Sequence, residues 1–187
     1  MSALVALRSA IVTDFEAAIP DAKAVEPYGG KLNLAEINRL TTRAPAILVA
    51  MVTGGSSDER PANQWQVEML ISAFVIAEDK RGTDRDAVAL SIAEQVIARV
   101  AAWPWRGTAQ SRQPTDVKFE SLYSGKLDRS GVALLAVTWK QSLPIGTDRF
   151  EAERIAAELP DHTDPNGLTV TGSSYGATDP EGGFQDA

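Results

Sequence analysis

Very little in this chain of 187 residues could do covalent chemistry. Cysteine is absent, which excludes disulfides, thiolate metal sites and thiol nucleophiles. The one histidine, His162, stands between Asp161 and Asp164, so a Ser-His-Asp triad or a histidine metal cage has almost nothing to build from. The carboxylates offer more. Asp84 and Asp86, with Glu78 and Asp79 near in sequence, could gather a hard cation. Acids at a strand end and in the first turn of a helix are also ordinary placements. Gly29-Gly30-Lys31 lacks the Gly four residues earlier and the following Ser or Thr of a phosphate loop; Val25 and Leu32 stand there instead. Gly54-Gly55-Ser56-Ser57 could cradle an anion, but Asp58 and Glu59 follow it and would repel one.

The four tryptophans are better candidates for contact than for catalysis. Trp65 and Trp139 fall on strand faces that otherwise carry core residues, so both are expected in the core. Trp103-Pro104-Trp105 closes a helix and enters a loop, where two large aromatics are hard to bury together. Core packing is expected of Trp103, and Trp105 is expected to touch another chain. With Tyr28 these two make the candidate interface set: Trp103, Trp105, Tyr28. No catalytic, cofactor-binding or metal-binding residue is assigned.

The elements that would position these residues follow from periodicity. A helix is predicted over Ala3–Ala18, capped by Ser2, with Leu4, Leu7, Ile11 and Phe15 as its apolar stripe. Ala22–Pro27 is extended, Tyr28-Gly29-Gly30 turns, and Asn33–Thr42 reads as one or two helical turns. Pro45–Thr53 is a strand apolar on both faces, followed by a loop over Gly54–Asn63. Gln64–Asp79 is a long strand whose even positions change from polar (Gln64, Gln66, Glu68) to apolar (Leu70, Phe74, Ile76). Thr83 is expected to cap a helix with Leu90, Ala93, Ile97 and Val100 inward, ending at Trp103-Pro104. Asp116–Tyr123 and Gly131–Leu143 are the last strands. The final one reverses the polarity gradient of the long one, so an antiparallel pair would set Glu68 near Lys140. The fold class is therefore α+β, a mainly antiparallel sheet flanked by two principal helices.

Charge divides the chain. Only two of the 18 Lys and Arg lie in residues 144–187, against nine of the 25 Asp and Glu, so that segment carries the whole net charge of −7. It also holds six of 14 glycines and four of 10 prolines. Residues 1–146 are expected to form the domain and 147–187 an acidic, Pro/Gly-rich extension, with a short helix at Asp148–Leu159. A neutral body with an acidic tail has no long-range attraction for nucleic acid or anionic lipid. The longest apolar runs are about nine residues, where a spanning helix needs about 20, and the N-terminus lacks a secretory pattern. A soluble, non-enzymatic protein of a reducing compartment is expected, with no cofactor.

Four stretches in order carry a resemblance. Val25-Glu26-Pro27-Tyr28-Gly29-Gly30, Arg43-Ala44-Pro45-Ala46-Ile47-Leu48-Val49, Ser121-Leu122-Tyr123-Ser124 and Gly131–Trp139 resemble the tail-terminator-like protein of Mu-like phages and prophages, over about residues 3–146. The resemblance implies a virion protein assembled in the host cytoplasm. It implies a homo-oligomeric ring, commonly a hexamer, seated on the last ring of the tail tube protein. Such a ring stops tube growth and offers the surface for the head–tail connector or stopper protein, while genomic DNA passes through its lumen without specific binding. No membrane is involved. Another neck protein (adaptor, stopper or tail-completion factor) is the alternative. A metal-dependent hydrolase using Asp84 and Asp86 is the remote one.

Overall fold

The computed structural model describes residues 2–29, 43–60, 64–79, 84–122 and 131–146, and for 57–60 the backbone only. All of them belong to one compact unit, Met1–Thr147. The expected Asn33–Thr42 helix, the Thr83 cap, Gly30 and Lys31, His162 and the acidic extension lie outside the described residues.

The order is α1 (Ala3–Ala18), β1 (Ala24–Tyr28), β2 (Ala46–Arg60), β3 (Gln64–Glu78), α2 (Arg85–Ala102), a 3-10 turn (Thr108–Gln110), β4 (Thr115–Ser121) and β5 (Val132–Ile145). The five strands form one sheet ordered β1-β2-β3-β5-β4. Only β1 and β2 run parallel; the other three pairings are antiparallel. This is the expected α+β architecture.

The sheet is built around β3, which pairs with β2 on one edge and with β5 on the other along its whole length. Both helices pack on one face. Leu7, Ile11 and Phe15 of α1 and Ala89, Ile92, Val96 and Val100 of α2 share a core with Ile47, Val49, Ile71, Val75, Val137 and Trp139. The strand members alternate along the chain, as residues of one sheet face must. A smaller cluster, Leu48, Ile76, Val132 and Leu134, is buried on the other face. The reversed gradients of β3 and β5 do align their polar ends, and Lys140 Nζ stands 3.4 Å from Glu68 Oε1.

Four expectations are corrected. Gly54–Arg60 is not a loop but the outer half of β2, paired with β3 through two register shifts, at Met51/Thr53 and Ser56/Asp58. Each shift is a bulge that absorbs one residue, which lets a Gly- and Ser-rich segment follow a partner already fixed by β5. Gly54 has a packing reason, since a Cβ there would lie 3.2 Å from Met69 Cγ. Ser2 sits at the start of α1 but makes no side-chain cap. At α2 the cap is Asp84, whose Oδ1 accepts from the Asp86 N–H at 2.9 Å. The buried stripe of α2 runs through Ala89, Ile92, Ala93, Val96 and Val100, and Leu90 stands 50% exposed beside it.

Candidate functional site

The two strands of the hairpin are 15 residues each, about 50 Å long, whereas α1 and α2 span about 24 and 27 Å. Helices of that length cannot cover the whole hairpin. Burial shows which part is covered. Ile47, Val49, Met69, Ile71, Ala73, Val75 and Ala77 join the helix-side core and Val67 packs against it, while Val52–Ser56 are exposed. Past this core the β2–β3 hairpin continues as a two-stranded arm of outer β2 and the start of β3, while Leu143 of β5, opposite Val67, is still fully buried.

Trp65 lies on this arm, opposite Ile145, and is 50% exposed. The strand alternation does put it on the helix side, but the buried core ends before it, so the expected core position is corrected. Trp139, opposite Ile71 and about 20 Å further in, is fully buried as expected.

Trp105 is the opposite correction. It is only 4% exposed in the single chain, where an exposed aromatic corner is expected. Its ring meets Phe15 edge-on at 5.9 Å and lies 6.4 Å from Trp139. Its indole N–H donates to Gln141 Oε1 at 3.2 Å, and Trp139 donates to the same oxygen at 3.3 Å. The Gln141 amide nitrogen in turn donates to the Arg112 carbonyl at 2.9 Å. A buried polar side chain thus ties the loop after α2 to β5, and every bond it makes replaces one lost to water.

Trp103 ends α2 in the left-handed conformation, φ 47°, with its N–H on the Arg99 carbonyl at 3.0 Å. Glycine is the usual residue there. The ring packs partly buried against the core. Tyr28, at the end of edge strand β1, packs partly buried against the Leu48 cluster. The structure does not bring Trp103, Trp105 and Tyr28 together as one surface; they lie in three settings.

The carboxylates do not converge on a cation position. Asp84 is spent on the helix cap, and Asp79 Oδ2 accepts from Arg85 at 3.1 Å. Among the described residues no three acidic or histidine side chains form a metal-binding group. The remaining ionic contacts are structural. Arg99 reaches from α2 to Asp14 on α1, its Nε 3.0 Å from Asp14 Oδ2, and the hydrogen bond it donates to that carboxylate raises the pKa of the guanidinium. Asp116 is held below the usual aspartate range by a hydrogen bond from Lys118 on the same strand.

Besides Leu4 and Val5 at the start of α1, what is exposed and apolar among the described residues falls in two places. One is the arm, with Val52 and Trp65. The other is edge strand β4, exposed at all seven residues, where Phe119 (59% exposed) faces α2 and Leu90. A groove of about 280 Å³ separates that strand from α2. Neither surface was named from sequence. The sequence carries half of the signal for the arm: Gln64–Asp79 reads as one long strand, but its partner reads as a strand only over Pro45–Thr53, with a loop after it.

No family model and no curated protein matches the chain. Among solved structures, a chain of the virion of a native gene transfer agent particle is similar, at 14% identity and a TM-score of 0.48. The match covers 77% of this chain and 98% of that one.

Proposed function

We propose that the chain is a structural protein of a phage-type virion, a tail terminator that closes as a ring on the end of the tail tube. Four ordered stretches of resemblance support the reading. The observation that carries it is the arm: the outer part of the β2–β3 hairpin runs past the helix-side core, leaving Val52 and Trp65 about half exposed. A projecting, aromatic-tipped sheet is costly to leave in water and makes sense where adjacent subunits cover it. The head-to-tail contacts of a closed ring need two unlike surfaces on each copy, which the arm and the opposite sheet edge supply. The tail tube and the head-side connector are the partners. The body, neutral in charge, lets the genome pass without gripping phosphate.

Electron microscopy of particles assembled without the protein tests this. Tubes of uncontrolled length without heads are expected. Tails of normal length lacking heads would instead make it an adaptor, stopper or completion factor of the neck.

A further inference from the structure

The free edge of the sheet has a self-complementary pattern. The amide of Leu122 donates to the Leu134 carbonyl at 2.9 Å, in the same register that pairs Glu120 with Ala136 and Lys118 with Thr138. In an antiparallel ladder alternate residues turn their backbone groups to the same neighbour. Lys118 and Glu120 therefore bond inward to β5, and Phe119 and Ser121 turn their N–H and C=O outward. No further strand of the sheet lies beyond β4 among the described residues.

We propose that this edge is the contact of a two-fold dimer, with β4 of one copy antiparallel to β4 of a second copy and Phe119 opposite Phe119. That register makes the central residue a hydrogen-bonded pair, each Phe119 N–H reaching the other copy's Phe119 carbonyl. It sets Lys118 of each copy opposite Glu120 of the other. Those two positions are the non-hydrogen-bonded ones, where side chains approach most closely. On the helix side the two Phe119 rings meet beside Leu90 of each α2 and close over the adjoining groove.

Charge selects this register over its neighbours. Centred on Lys118, the pairing would oppose Lys118 to itself and Asp116 to Glu120. Centred on Val117, it would run into the irregularity between Thr115 and Lys118, where Asp116 has φ 51°. Charged residues on an edge strand usually block pairing. Here they alternate in sign on one face while the other face carries an exposed aromatic, an arrangement that blocks misregistered partners and admits its own copy. The Lys118 ammonium already meets Asp116 at 2.7 Å and has donors left for the second copy's carboxylate.

This contact goes beyond the ring reading and does not depend on it. A two-fold contact closes at two copies, so the dimer is a resting form of the free chain that keeps the edge covered away from the tube.

Sedimentation of the full chain, with amide exchange at rising concentration, tests the proposal. The wild type is expected to dimerise, with the Phe119 and Ser121 amides gaining protection as concentration rises. The Lys118 and Glu120 amides should be protected throughout. Glu120→Lys should weaken the dimer about tenfold by opposing two lysines at each of two symmetric positions, and the Lys118→Glu, Glu120→Lys double variant should restore it. Both substituted residues are exposed, and an unchanged melting temperature at low concentration checks the fold. A chain monomeric at every concentration overturns the proposal. So does a dimer that ignores Glu120→Lys, or one that leaves the Phe119 amide unprotected. Loss of tube-length control in particles bears on the ring reading alone.

Discussion

Trp105 and Gln141, 36 positions apart in the chain, meet in the core, the indole N–H donating to the amide oxygen at 3.2 Å. With Trp139 on the same oxygen, Gln141 holds two tryptophans and a loop carbonyl with one side chain. Replacing Gln141 by Leu leaves two indole N–H groups and the Arg112 carbonyl without their partner. The expected cost is about 2–4 kcal/mol in urea unfolding, since an orphaned buried group costs about 1–3 kcal/mol. Trp105→Ala should cost about 3–5 kcal/mol by cavity formation. An interface residue would behave differently, leaving the free chain's stability unchanged.

Trp65→Ala should do what Trp105→Ala does not. Its ring is half in water, so the free chain should unfold within about 0.5 kcal/mol of wild type. Assembly onto tail tubes, scored by pelleting with purified tubes, should fall sharply. Normal assembly of a folded Trp65→Ala chain would remove the arm from the interface.

The bridge between the helices can be weighed by a double-mutant cycle on Asp14 and Arg99. Both side chains are partly buried and doubly hydrogen-bonded, so the expected coupling is about 1–2 kcal/mol, above the range of exposed pairs. Glu68 and Lys140, both largely exposed, should couple by less than about 1 kcal/mol in the same denaturation measurement.

Removal of residues 147–187 should leave the domain folded. The last strand ends at Ile145, and the acidic segment carries too little apolar surface to anchor a core. Circular dichroism and a thermal melt of the truncated chain check this; loss of cooperative unfolding would put the domain boundary further on.

The sequence made some relationships legible and hid others for a definite reason. The pairing of Glu68 with Lys140 was readable because two gradients of polarity along β3 and β5 can only be matched one way. The positions of Trp65 and Trp105 were not. Alternation tells which face a strand residue takes but not how far the covering helix extends, so Trp65 was placed in a core that stops short of it. Trp105 belongs to no periodic element, and its burial depends on a polar partner supplied by β5. The outer half of β2 failed for a similar reason. Gly54-Gly55-Ser56-Ser57 has no strand propensity of its own and is held by its neighbour. Tyr28, Trp103 and Trp105 stand near turns, where sequence suggests exposure, whereas the exposed aromatics among the described residues include Trp65 and Phe119, on strands.

The placement of β3 between β2 and β5 also bears on how the chain is made. The β2–β3 hairpin is local and can zip as soon as it leaves the ribosome, on the microsecond scale of hairpins. Its other partner ends 67 residues after Glu78, so at about 5–20 residues per second the inner edge of β3 waits about 3–13 s for β5. Throughout that interval a largely apolar strand has one bare edge. Nascent chains on neighbouring ribosomes present the same edge, so slow translation between Asp79 and Val132 favours aggregation and brisk translation favours yield.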